Sequence, residues 1–318
     1  MSTIRFENVS KQFANASRTA VDNISFVVDE GGFVVLLGPS GCGKTTLLKM
    51  INRLYEPTSG AIYLGQQDVR QMDATSLRRQ IGYVIQQIGL FPHLTVAKNI
   101  AIVPELLRWE PERITARVDE LLTLVDLPPA EYRDRYPSQM SGGQRQRVGV
   151  ARALAGDPGV ILMDEPFGAI DAITRTGLQD ELLRLQRKLK KTIVFVTHDV
   201  EEALRLADKI VIMRDGRIVQ YDTPFNILSH PANQFVRDLI GADDIVRQLS
   251  LIRVESAMEP LPPGDELDGY PTIACDDNLR RALSTLLGSA APALTVLDAG
   301  QPVGRLTLAG IQNSAGET

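Results

Sequence analysis

The sequence predicts an α/β fold: a mostly parallel sheet with helices on its faces, followed by a small α+β region. Three observations carry this. Short apolar runs at 33–37, 160–163 and 192–197 read as buried strands, each followed by a stretch that reads as helix. The first of these runs enters a helix through Gly38-Pro39-Ser40-Gly41-Cys42-Gly43-Lys44-Thr45-Thr46, which fits the phosphate-loop pattern G-x-x-x-x-G-K-[ST]. Charge is also unevenly spread. Residues 1–242 hold 29 Lys+Arg and 28 Asp+Glu, whereas residues 243–318 hold 5 and 11, with no lysine. This places the domain break there: 1–242, then 243–318.

Taken in chain order, the runs 4–9 and 24–28 open a β-rich portion that continues at 61–64. The loop 38–46 leads into a helix at 47–51. A strand at 81–85 follows, and residues from about 88 to 157 read as largely helical, including the segment 115–122. From Val160 the pattern returns to strand, helix, strand. The run 209–213, the Asp215-Gly216 turn and 217–220 read as a β-hairpin, and helical segments cover about 224–240. Beyond the charge break, 278–287 has apolar residues at i, i+3, i+4, i+7 and i+8, an amphipathic helix. Two strand-like pieces, 294–297 and 302–307, flank an Asp298-Ala299-Gly300 turn, with 271–273 in front. The Pro- and acid-rich stretch 260–266 is expected to be a loop.

The glycine loop carries the first functional reading. Backbone N–H groups without obstructing side chains can wrap a polyphosphate, and the helix N-terminus behind them adds a favourable dipole. Gly38 to Thr46 therefore predict a nucleoside triphosphate site, with Lys44 reaching the β- and γ-phosphates and the Thr45 hydroxyl on Mg2+.

A second set of segments extends it: Met140-Ser141-Gly142-Gly143-Gln144-Arg145-Gln146-Arg147, Val160-Ile161-Leu162-Met163-Asp164-Glu165-Pro166 and His198. With the glycine loop, this order and spacing resembles the ATP-binding cassette family. The resemblance implies a cassette fold with an antiparallel β subdomain and a helical subdomain, and ATP hydrolysis with Mg2+. It implies that Ser141, Gly142, Gly143 and Gln144 bind the γ-phosphate of ATP held by the Lys44 loop of a second copy, hence a head-to-tail pair. Residue by residue, it implies Asp164 for Mg2+, Glu165 as the general base for the attacking water and His198 in contact with the γ-phosphate and Glu165. It also implies Gln86 as the glutamine that senses the metal and couples the site to the partner, Asp171 as the family's D-loop aspartate in the nucleotide site, and Phe13 as the aromatic that stacks on adenine. Met140 and Ile170 stand where leucine is commoner in the family, swaps of similar volume.

The segments 81–94, Met50-Ile51-Asn52-Arg53-Leu54 and 163–169 are similar to ATPase subunits of bacterial osmoprotectant importers. This implies a cargo of glycine betaine, choline, carnitine or proline. It also implies membrane-spanning permease subunits received near 86–94, and a periplasmic or lipid-anchored solute-binding protein in the same complex. The C-terminal pattern resembles a single CBS motif, which normally works in pairs. The acidic surplus favours a dimerising or ordering role there over sensing an anionic nucleotide.

Composition agrees with a soluble, cytosol-facing enzyme, and the resemblance implies a peripheral place on the cytoplasmic face of the inner membrane. No run of eighteen apolar residues and no secretory signal is expected. Near-balanced charge over 1–242 leaves no broad attraction for nucleic acid. Cys42 and Cys275 are the only cysteines, so no disulfide framework or zinc site is expected. Cys42, at a helix N-terminus, is expected to have a lowered thiol pKa, so that alkylation there blocks ATP.

Overall fold

The computed structural model describes residues 3–14, 16–85, 89–168, 170–242, 244–261, 269–289 and 291–316. The chain forms two compact units, Met1–Asp222 and Thr223–Thr318. Compactness thus divides it upstream of the compositional break at 242.

In the first unit, β1 (Ile4–Lys11) and β2 (Val21–Val28) pair antiparallel, and β3 (Phe33–Leu37) leads to α1 (Lys44–Ile51). Next come β4 (Ser59–Leu64), β5 (Gln67–Asp68), α2 (Ala74–Arg79) and β6 (Ile81–Val84). A helical stretch holds α3 (Val96–Leu106), α4 (Pro111–Leu124), α5 (Pro129–Tyr132) and α6 (Gly142–Leu154). Then β7 (Val160–Asp164), α7 (Ala172–Leu189), β8 (Thr192–Thr197), α8 (Val200–Leu206), β9 (Lys209–Arg214) and β10 (Arg217–Asp222) complete it.

Two sheets result. One is antiparallel, in the order β2-β1-β4-β5. The other runs β10-β9-β3-β8-β7-β6, parallel except for the last hairpin. Every residue of β3, β7 and β8 is buried, as expected of central parallel strands covered on both faces. Alternation splits their side chains. Val34, Leu36, Leu162, Val194 and Val196 join one core with Leu47, Leu48 and Met50 of α1 and with Phe6 and Ile24 of the antiparallel sheet. Phe33 and Phe195 face the other way and meet ring to ring, as do Phe167 and Phe195. The β9–β10 hairpin turns at Asp215 and Gly216, both at positive φ, the backbone a two-residue I′ turn requires.

The second unit holds α9 (Pro224–Ser229), α10 (Gln234–Ile240), α11 (Ile245–Leu249), β11 (Glu259–Pro260), β12 (Thr272–Ala274), α12 (Leu279–Ser289), β13 (Ala293–Asp298), β14 (Gln301–Thr307) and α13 (Leu308–Gly316). Its sheet runs β11-β14-β13-β12, with β12 and β13 parallel across the α12 crossover. Leu279, Ala282 and Leu286 of α12 pack with Ile273, Leu294, Val296 and Leu306 in a core of its own. The sequence places Pro260 in a loop, but the structure pairs it with Gly304 in a short edge strand. At an edge, proline's missing N–H costs no ladder bond. The remainder of that predicted loop, 262–266, lies outside the described residues.

Candidate active site

Parallel register sets the site. Leu37 pairs with Thr197 and Asp164 with Val196, so β3, β7 and β8 end level with one another. The segments leaving them therefore start from one edge of the sheet, where open α/β sheets bind ligands.

The segment after β3 is the glycine loop. Gly43 caps α1 at φ 106°, and a Cβ there would collide with the Ala20 carbonyl oxygen. Gly38 is equally confined by the Met213 carbonyl. Pro39 and Ser40 are exposed, as is Gly41, where a Cβ would meet open space; Thr46 is half-buried in the first turn of α1. Helices α2, α3, α6, α7 and α8 are each capped by a side chain: Asp73, Thr95, Ser141, Asp171 and Asp199. Helix α1 has no side-chain cap and no acidic residue in its first turn. Its N-terminus can thus accept an external anion.

Lys44 is only 5 % exposed. Its Nζ donates to the carbonyl oxygens of Gly38 (2.6 Å) and Pro39 (3.0 Å), which satisfy the buried ammonium. Phosphate oxygens are acceptors of the same kind. Thr45 Oγ1 donates to Asp164 Oδ1 at 2.9 Å. Burial pushes the Asp164 carboxyl above its usual value, with Thr45 and Lys49 opposing. Among the described residues no cluster of three or more His, Cys, Asp or Glu could hold a metal. A hydroxyl and one carboxylate instead fit Mg2+, a hard cation that keeps waters and takes the rest of its oxygens from phosphates.

Glu165 follows Asp164 directly and points elsewhere. Its backbone lies at φ 44°, its N–H donates to Val196 O (3.0 Å), and its side chain is 21 % exposed. His198, 59 % exposed, approaches it with Nδ1 3.3 Å from Oε1. A left-handed glutamate is strained backbone, held here by its hydrogen bond to β8. The pair offers a carboxylate able to accept a proton and an imidazole beside it.

The other candidates fall on separate elements. Ser141 and Gln144 form a capping box on α6: Gln144 N donates to Ser141 Oγ (3.2 Å) and Ser141 N to Gln144 Oε1 (3.0 Å). Gln144 Nε2 also donates to Tyr132 OH (3.0 Å). A Cβ on Gly142 would meet open space, whereas one on Gly143 would press on Thr174 of α7. Asp171 caps α7 through Thr174 N (3.0 Å). Phe13 lies beyond β1, half-buried rather than in the core, with Tyr55 edge-on at 5.2 Å and Lys11 Nζ 5.2 Å from its ring. Gln86 lies outside the described residues.

The expectation for Cys42 is overturned. The thiol is 3 % exposed, and burial raises its pKa more than nearby Lys44 lowers it. Desolvation of a thiolate outweighs the helix N-terminus, so Cys42 is neither open to alkylating reagents nor activated. Two neighbours escaped the sequence reading: Tyr55, which packs on Phe13, and Lys49, whose charge acts on Asp164. Lys49 lies one helical turn beyond Thr45, a spacing legible in principle. Nothing local marks Tyr55.

Comparison with known proteins places the chain. A family model described as ABC transporter matches residues 21–168. The glycine betaine/carnitine/choline transport ATP-binding protein OpuCA of Bacillus subtilis is 50% identical over 296 residues, 93% of this chain and 75% of that protein. The glycine betaine uptake system ATP-binding protein YehX of Escherichia coli is 48% identical over 305 residues, 95% of this chain and 97% of the relative. Among solved structures, a dimeric ATP-binding cassette in a post-hydrolysis state bound to ADP and Pi is 34% identical, with a TM-score of 0.62 over 70% of this chain and 98% of that one.

Proposed function

Because the chain belongs to the ABC transporter family, we infer that it is the ATP-hydrolysing subunit of an importer of glycine betaine and related quaternary amines. The observation that carries the catalytic half is the Glu165–His198 pair beside Asp164 and Thr45, at the strand end next to a glycine loop whose helix lacks a side-chain cap. The cargo rests on relatives that match nearly the whole chain.

In this reading the loop from Gly38 to Thr46 cradles the phosphates through backbone N–H groups, and Lys44 exchanges its loop carbonyls for phosphate oxygens. Phe13 stacks on adenine, with Tyr55 bracing its edge. Thr45, Asp164 and Gln86 would hold Mg2+, which neutralises charge on the β- and γ-phosphates when bound. Glu165 accepts the proton of the attacking water, and His198 orients that carboxylate. Ser141 to Gln144 and Asp171 serve the ATP of a second copy, so a head-to-tail pair closes over two nucleotides and biases the attached membrane subunits between two states.

A cleft of about 340 Å³ lies beside β6, lined by Arg78, Tyr83, Ile85, Phe91, Val103 and Arg152. Its apolar floor and arginines suit a cytoplasmic loop of the permease, which would hold the protein peripherally at the inner membrane. No described helix is long and apolar enough to cross a membrane. A periplasmic or lipid-anchored solute-binding protein completes the complex. Residues 243–318 act as a single CBS-like motif that pairs with that of the second copy, a role in ordering the dimer.

The test is uptake of labelled glycine betaine, choline and carnitine in cells lacking their own copy. Saturable uptake is expected with the wild type and none with Glu165→Gln. Purified wild type that hydrolyses ATP while no cargo accumulates would remove the cargo assignment and leave the ATPase.

A further inference from the structure

The segment that carries His198 is anchored by a polar network reaching back to the loop in front of α7. Thr197 Oγ1 donates to Glu202 Oε2 (2.7 Å) and accepts from the Asp199 N–H (3.0 Å). Asp199 Oδ1 caps α8 through the N–H groups of Glu201 (2.9 Å) and Glu202 (3.3 Å), and its Oδ2 accepts from Arg175 Nη1 (3.3 Å). Arg175 Nη2 donates to the Ile170 carbonyl (3.0 Å), one residue before Asp171. Its Nε lies 3.9 Å from Glu202 Oε1, an oxygen that also accepts from Gln179 Nε2 (3.4 Å). One guanidinium on α7 therefore hydrogen-bonds both the loop ahead of Asp171 and Asp199 beside His198, and its charge faces Glu202, which holds Thr197 on the other side.

We propose that Arg175 is a positioning residue for ATP hydrolysis: it ties the Ile170 carbonyl to Asp199, sets its charge against Glu202, and so holds His198 against Glu165. The inference rests on the hydrolytic roles given above to Glu165 and His198. Chemistry favours arginine at this point, because a rigid planar fork can address two acceptors in different directions, whereas a lysine ammonium is a single point charge on a flexible stem. Glu202 is nearly enclosed, and burial opposes its ionised form. Removing the cation would leave two carboxylates short of a counter-charge directly behind His198, free to shift the segment. The network has a functional consequence. Any displacement of the loop before Asp171, the loop assigned to the second copy's nucleotide, is transmitted to the catalytic pair of its own chain.

The full-length protein tests this through ATP hydrolysis by wild type, Arg175→Met, Arg175→Lys, His198→Ala and the Arg175→Met/His198→Ala double variant. Arg175→Met is expected to lower kcat on the order of tenfold to a hundredfold, the cost of small misplacement in an active site. Its KM for ATP should stay within about twofold, because the phosphate loop is untouched. Arg175→Lys should recover only part of the rate. In the His198→Ala background the same change should cost less than about twofold, since residues acting as one unit are not additive. Wild-type kcat in Arg175→Met overturns the proposal. So does an undiminished loss on top of His198→Ala, or a fall in kcat matched by a rise in KM and a lower melting temperature. Should Arg175→Met fail to fold, Arg175→Lys decides alike: reduced kcat at unchanged KM supports the role, and wild-type kcat removes it. A wild-type rate in His198→Ala itself would overturn the hydrolytic reading, and this inference with it.

Discussion

Asp164 and Glu165 are chemical near-equals separated by one peptide bond, and the end of β7 gives them opposite surroundings. Asp164 is 7 % exposed and bonded to Thr45, whereas Glu165 turns out through a left-handed backbone towards His198. Burial raises the Asp164 carboxyl above its ordinary value of 3.8. The folded state thus holds that proton more tightly than the unfolded chain, so this residue's contribution to stability falls as pH rises from about 3.8 through the folded pKa. Asp164→Asn removes the ionisation. Its melting temperature should match wild type below about pH 3.8, exceed it increasingly as pH rises through the folded pKa, and keep a constant margin above that, without nucleotide or metal, while ATP turnover is lost. Equal melting temperatures across that range would show the carboxylate to be stabilised by groups other than those seen. The site therefore carries a local instability that a bound cation would relieve, a common trade at functional positions.

Among the elements, α6 shows how two adjacent glycines can serve different ends. Ser141 and Gln144 close a capping box, so the N-terminus of α6 is satisfied by its own side chains, whereas that of α1 is not. Gly143 faces α7: a Cβ there would lie 2.7 Å from Thr174 Cγ2. Gly142 faces open space. Gly143→Ala is accordingly expected to destabilise the fold by about 1–3 kcal/mol through overpacking. Gly142→Ala should be neutral or stabilising by about 0.5–1 kcal/mol, yet it should lower ATP turnover if this face meets the second copy. Thermal denaturation beside an ATPase assay separates the two outcomes. A Gly142→Ala variant with full turnover would remove that face from the nucleotide contact.

At the scale of the whole molecule, each compact unit has its own hydrophobic core, and all the candidate catalytic residues lie within Met1–Asp222. The glycine loop and the Ser141 segment belong to that same unit but stand on different elements with different local partners. With turnover blocked by Glu165→Gln, Mg-ATP should shift the 34.9 kDa chain to a dimer in size-exclusion chromatography with light scattering. Adding Ser141→Arg in that background should abolish this ATP-driven shift, because a bulky side chain at the exposed α6 cap blocks the opposed nucleotide. A persistent dimer in the double variant would place the interface elsewhere.

Contiguous residues dictate what was legible at the start. A buried strand, a glycine turn and a helix are written within one stretch of chain, so Gly38–Thr46 could be read from local chemistry and spacing, whereas Asp164, Glu165 and the Ser141 segment were legible through the family resemblance. The strand–helix alternation likewise determined the parallel sheet, and the Asp215-Gly216 pair the I′ turn of the β9–β10 hairpin. Tertiary structure decided what depends on distant chain segments meeting. Cys42 is inert because the fold buries it, and Pro260 pairs because Gly304 lies beside it. Glu165 faces His198 only because β7 and β8 run in register. Arg175 bridges Ile170 and Asp199 because α7 and α8 pack side by side. Burial and through-space charge are properties of the packed chain, and no local pattern carries them.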